Sequence, residues 1–463
     1  MQKELRMTKR LLFSIVVILG FPASNLSAQA VTETSLVKDI KPGGGTSGPG
    51  FLTNVAGTLF FTADDGVNGF ELWKSDGTEV GTVLVKDIES SSSFPRFLTN
   101  VNGTLFFTAS DNVNGRELWK SDGTENGTVR VKDIRTGSFG SNPLNLTDVN
   151  GTLFFTADDN VNGAELWKSD GTANGTVLVK DVFPGNFSSS IDHLTNVNGT
   201  LFFTARDVVG GLPLWKSDGT DAGTVIVSNT PDLIANLTNI NGSLFFSARC
   251  CANGVELWIS DGTDAGTVEV LDIRPGVVSS GPNRLTNVNG TVFFGAAQDV
   301  NGSELWRSDG TGFGTELVKD IRPGTSSSLT RHLTNVNGTL FFSANDGISG
   351  PELWKSDGTN AGTVLVKDID PGLAGVVTNL INFNGTLFFA ANQPPIGLEL
   401  WKTDGTTAGT VLVKDIRSGM FDGSNPTNMT VVNETLFFVA NDGVTGEELW
   451  STPQPPLFAD GFE

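Results

Sequence analysis

All nine tryptophans of this chain fall in one recurring phrase, at Trp73, Trp119, Trp167, Trp215, Trp258, Trp306, Trp354, Trp401 and Trp450, spaced 43 to 49 residues apart. A period near 48 residues that holds several short apolar runs has the length of a four-stranded propeller blade. Length alone would divide 463 residues into about three domains. Repetition overrides that division, because a repeat array grows one continuous body by adding units.

One unit shows the strands. Residues 51–55 read as a first strand, 57–63 (GTLFFTA) as a second, 71–75 (beginning ELW) as a third and 82–88 (TVLVKDI) as a fourth. Asn-Gly separates the first two strands in most copies, as at Asn102-Gly103, and both residues tolerate the positive φ of tight hairpin turns. Asp76-Gly77 begins the short connection between strands three and four. Leu59, Phe60 and Phe61 are consecutive, so their side chains alternate between the two sheet faces and both faces need cover. Sheets stacked face to face around an axis provide it.

The ends of the array carry the closure argument. The last unit stops after Glu448-Leu449-Trp450 and lacks both the turn and the fourth strand. That strand stands near the other terminus, where residues 35–40 read SLVKDI ahead of the first complete unit. Eight whole units and two complementary fragments make nine. A ring gains a seam from this permutation, whereas an open solenoid has no use for it. The expected fold is therefore all-β: a single closed β-propeller of nine four-stranded blades over residues 31–452, the last blade completed by the N-terminal strand.

The phrase Glu71-Leu72-Trp73-Lys74-Ser75-Asp76-Gly77-Thr78 resembles the repeat of the bacterial ELWxxDGT proteins. It recurs around Trp119, Trp167, Trp258, Trp306, Trp354 and Trp401. The fourth copy has Pro213 in place of Glu, and the ninth loses the DGT. The resemblance spans nearly all of the repeat region. It implies an exported repeat protein but no established activity.

Residues 1–30 read as a secretory signal: a basic start (Lys3, Arg6, Lys9, Arg10), an apolar core over 11–21, and Ala28-Gln29-Ala30 for cleavage. The apolar stretch is too short to span a bilayer, which needs roughly 20 residues. A secreted, cell-surface or periplasmic location follows as an expectation. The formal charge of −21 repels phosphate backbones, which argues against nucleic acid and anionic membranes as partners. Residues 453–463 leave the repeat and resemble short C-terminal sorting tags of exported proteins.

Candidate chemistry is sparse. The two histidines, His193 and His332, hold equivalent places before a Leu-Thr-Asn in different units, and no Ser-His-Asp motif accompanies them. Carboxylates abound, but most belong to the repeat and have counterparts in most units, whereas a catalytic pair needs two different environments. Asp76, Asp122, Asp170, Asp218, Asp261, Asp309, Asp357 and Asp404 head the DGT turns, where carboxylates satisfy turn amides. Asp64, Asp65 and Asn68 surround a turn glycine, and Asp346 and Asp442 stand in similar loops. Such oxygen ligands are what calcium takes, with an ordinary polar turn as the competing reading. No other cofactor is expected.

Cys250 and Cys251 are adjacent and are the only cysteines. Their Cα atoms lie ~3.8 Å apart, closer than the roughly 4.4–6.8 Å usual for a bridge. A vicinal disulfide would mark a binding loop, and free or intermolecularly paired thiols are the alternatives. The loops vary between units while the strands hardly do, the division expected of a scaffold with contact loops. The expectation is a non-enzymatic propeller that binds an extracellular protein or glycan. The alternatives are an extracellular carbohydrate-active hydrolase or lyase, and a purely structural envelope component.

Overall fold

Leu59, Phe60 and Phe61 are all buried, and they face opposite ways. Phe60 packs with Leu72 and Val85 against Leu105 and Phe107 of the following sheet. Leu59 and Phe61 pack against Val37, Ile40, Phe437 and Leu449 of the preceding one. The same division repeats around the molecule as nine apolar clusters between neighbouring sheets. The computed structural model describes residues 33–372, 375–419 and 422–454. The segment read as a signal and residues 455–463 of the tail lie outside them.

Nine four-stranded antiparallel sheets form the nine blades of a β-propeller. Blade one consists of Gly50–Val55, Thr58–Asp64, Phe70–Ser75 and Val83–Lys86. The first strands of neighbouring blades lie side by side all the way round, and Gly50–Val55 adjoins Thr427–Val432 of blade nine. First strands are therefore innermost, and the ring is closed. The NG and DGT turns share one face of the ring. The loops between second and third strands share the other with the crossovers between blades.

The seam joins the termini as the split unit requires. Ser35–Lys38 pairs antiparallel with Glu447–Pro453, setting Ser35 opposite Ser451 and Leu36 opposite Trp450. Thr34 Oγ1 donates to Thr452 Oγ1 at 2.8 Å, and Lys414 Nζ donates to the Thr34 carbonyl at 2.8 Å. Asn54 completes an inner belt by donating to the Val431 carbonyl at 3.0 Å. The terminal strand runs on to Pro453, one residue past the sequence boundary, because Thr435 pairs with it.

Each part of the repeated phrase has a mechanical task. Ser75 Oγ meets Thr82 Oγ1 at 2.7 Å, and Asp76 Oδ1 accepts Thr78 N and Oγ1 at 2.9 and 2.8 Å. Gly81 is confined to glycine because a Cβ there would stand 2.0 Å from Asp76 Oδ1. Lysines of one blade grip the turn of the next: Lys74 Nζ reaches the Gly123 carbonyl and Lys86 Nζ the Thr128 carbonyl.

The glutamate ties down the crossover. Glu71 accepts Ile88 N at 3.2 Å, with Ser93 N and Ser93 Oγ both at 2.6 Å. Seven further glutamates, Glu448 at the seam among them, hold crossovers through the same backbone amides. Burial pushes the carboxyls of Glu71, Glu165, Glu304 and Glu352 up to about 7, against the pull of those donors. Pro213 leaves blade four without this tie.

Candidate functional site at the channel mouth

Each innermost strand carries an extra residue at the same place, and that of blade five carries a second. In blade one, Gly50 faces Thr62 but Thr53 faces Phe60, so three steps on one strand match two on the other. This is a β-bulge, and its first residue, Phe51, sits at φ 55°. The equivalents are Phe97, Asn145, His193, Asn236, Arg284, His332, Asn379 and Asn428, all with φ between 52° and 59°. The hydroxyl two residues on locks the bulge in most blades, as Thr53 Oγ1 bonds the Phe51 carbonyl at 2.8 Å.

Left-handed backbone suits asparagine and strains bulkier residues. Four blades use asparagine there, and each side chain donates to a carbonyl of the next blade, as Asn145 does to Ile191 at 3.2 Å. Blades one, two, four, six and seven depart from it with Phe51, Phe97, His193, Arg284 and His332, all exposed. Strain retained at exposed, variable positions of an otherwise uniform ring makes this rim the candidate functional site. Sequence reading gave the histidines equivalent places in different units but missed that they stand on a channel rim. The signal was present: the residue before each Leu-Thr-Asn varies while its neighbours repeat.

The rim is basic in an acidic protein. Arg96, Arg284 and Arg331 are exposed there, and none joins the ion pairs formed among the described residues. Asp192, the acid beside His193, caps the His193 amide at 2.8 Å. Partial desolvation, with Arg284 and Arg331 nearby, lowers the pKa of His332. A groove of about 380 Å³ opens beside it, lined by Leu329, Arg331, His332, Ser343 and Val376. A second groove, of about 300 Å³, lies between blades one and two against Phe51, Phe70, Phe94 and Arg96. Among the described residues neither imidazole has a side-chain hydrogen bond, so no Ser-His pair is assembled.

The other sequence candidates lie in the loops of the same face. Asp65 Oδ1 accepts Val67 N and Asn68 N, and its other oxygen accepts the Asn68 amide at 2.8 Å. Those bonds outweigh burial and lower its pKa. Asp64 meets Lys41 at 2.6 Å, Asp346 caps Ile348 and Ser349, and Asp442 caps Val444 and Thr445. These carboxylates bind their own loops. Cys250 and Cys251 are joined in a vicinal disulfide, and Cys251 lines a groove with Arg249 and Asp232.

No family model and no curated protein matches the chain. Among solved structures it is similar to a puromycin hydrolase, at 13% identity over 90% of this chain and 62% of that one, with TM-score 0.41. It is also similar to a prolyl endopeptidase, at 12% identity over 74% and 54%, with TM-score 0.42. The chain thus spans less than two thirds of either protein, and likeness of this degree assigns no activity. One expectation is corrected on this finding. The expectation was a non-enzymatic protein- or glycan-binding scaffold, whereas the similar solved chains are named as a hydrolase and an endopeptidase, and that expectation is not carried further. Among the described residues no helix is long and apolar enough to cross a membrane.

Proposed function

We propose that this protein takes a small anionic ligand at the mouth of its central channel. The observation that carries this reading is that Arg284 and Arg331, on the innermost strands of two neighbouring blades, have no carboxylate partner among the described residues, with Arg96 placed in the same way on blade two. With 51 acidic against 30 basic residues, surface arginines have carboxylates to spare for pairing. Arg284 and Arg331 stand on the neighbouring blades six and seven and both act on His332, and a bound anion offsets their mutual repulsion. The grooves beside them, at about 300 and 380 Å³, suit a small molecule.

An exported location belongs to this reading, supported by the joined Cys250–Cys251 pair, since disulfides persist in oxidising compartments. Membership of the ELWxxDGT repeat proteins belongs to it too, supported by the seven full copies of the phrase.

Citrate titrated calorimetrically into the purified protein tests the proposal. Arg284→Gln with Arg331→Gln weakens binding at least tenfold, and added salt weakens it further. Equal affinity in wild type and double variant contradicts the reading. Ester and peptide hydrolysis assayed on the same samples reports whether the mouth also performs chemistry.

A further inference from the structure

The nine bulges are alike in backbone, so the side chains that they carry reflect what each blade does beyond closing the ring. In blades one and two the bulge residue is phenylalanine, although asparagine fits this backbone better and occupies four other blades. Phe94 adds a third left-handed phenylalanine at φ 46°, three residues before Phe97. None of the three is driven there by burial: Phe51, Phe94 and Phe97 are 44%, 44% and 38% exposed. Phe51 and Phe94 line one groove together with Phe70, forming its apolar shelf, and Phe97 lies outside that lining, against Phe51. Phe51 meets Phe97 edge-on at 6.2 Å, and Phe94 stacks on Phe70 at 5.8 Å.

Charge is set beside this shelf. Arg96 lines the same groove as Phe51, Phe70 and Phe94, and no carboxylate pairs with it among the described residues. Arg116 stands behind it, donating to the Phe94 carbonyl at 2.9 Å and to Thr108. An apolar floor with a cation at its edge complements a flat ring that carries a negative group. The groove, at about 300 Å³, holds a small molecule and is too small for a folded partner.

We infer that the shelf of Phe51, Phe70 and Phe94, with Phe97 supporting the Phe51 ring and Arg96 at its rim, selects small aromatic anions, the ring lying on the phenylalanines and the anionic group on Arg96. This rests on the reading of the channel mouth as an anion site and names the class of anion.

The probe is 2-naphthoate, titrated into the full chain by calorimetry beside acetate and neutral 2-naphthol. Wild type binds 2-naphthoate at least tenfold tighter than either. Phe51→Asn with Phe97→Asn installs the residue that other blades carry at these positions, so the fold is kept, and melting curves confirm it. This variant binds 2-naphthoate at least tenfold more weakly. Arg96→Gln, an exposed change, weakens 2-naphthoate but not 2-naphthol. Undiminished 2-naphthoate binding in the double phenylalanine variant overturns the shelf alone. So does 2-naphthol binding as tightly as 2-naphthoate. Citrate affinity unchanged by Arg284→Gln and Arg331→Gln contradicts only the broader reading.

Discussion

The Ser47 hydroxyl donates to the Glu448 carboxylate at 2.6 Å, joining residues that stand 401 apart in sequence. The same bond, serine to glutamate at 2.6 Å, joins Ser93 to Glu71 within one unbroken unit. The molecule thus treats its seam as one more crossover.

Equivalence at the seam predicts equal cost. Ser47→Ala and Ser93→Ala each remove one donor from a buried carboxyl, a loss of about 2 kcal/mol. Differential scanning calorimetry shows both variants melting a few degrees lower and by similar amounts. If Ser47→Ala is neutral while Ser93→Ala is not, the termini are not joined as described.

Stability falls as pH rises through the mildly acidic range. The carboxyls of Glu71, Glu165, Glu304 and Glu352 move from 4.5 to about 7 on folding, so the native chain holds more protons than the unfolded one between those values. Their contribution is fully present below pH 4.5 and is lost by about pH 7. The melting temperature drops over this interval by an amount on the order of 5 °C. Glu71→Gln, Glu165→Gln and Glu304→Gln together flatten the profile, because glutamine does not titrate. A profile that rises with pH, or one unchanged by these substitutions, is the opposing result.

Removing strain from a bulge stabilises the ring. Phe51→Asn relieves a left-handed phenylalanine, worth about 1–2 kcal/mol, and gives up an edge contact with Phe97 worth about 1 kcal/mol. The expected outcome in chemical denaturation is a small net gain, about 0.5 kcal/mol by the difference of those terms. A loss greater than about 1 kcal/mol would mean that the ring is held for packing rather than for a ligand.

The cysteine pair is open to direct chemistry. Iodoacetamide added to denatured, unreduced protein modifies neither Cys250 nor Cys251, and reduction first makes both reactive. Labelling without reduction contradicts the vicinal bridge.

Much of the architecture can be read from sequence because it rests on residues whose task is local. Leu59, Phe60 and Phe61 alternate by strand geometry, and Asp76 to Thr82 closes a turn upon itself. The glutamate tie was not read. Ser93 follows Glu71 by 22 residues and Ser424 follows Glu399 by 25, across crossovers whose length varies. Periodicity therefore does not align the two partners. The rim was hidden for a different reason. Phe51 gives no local signal of positive φ, and only comparison with Asn145 or Asn428 in the equivalent place reveals what the backbone demands. That Arg96, Arg284 and Arg331 share one rim follows from ring closure, which places distant strands around one channel.

That channel exists only if the split blade is sealed, and a cross-link tests the seal directly. Ser35→Cys and Ser451→Cys, introduced together with Cys250→Ser and Cys251→Ser, set thiols on directly opposed positions of the seam strands. Mild oxidation is predicted to give an intramolecular disulfide, seen as a monomer of altered mobility in non-reducing electrophoresis. Thiols that stay free, or that form only linked dimers, would contradict the closed ring and the mouth built upon it.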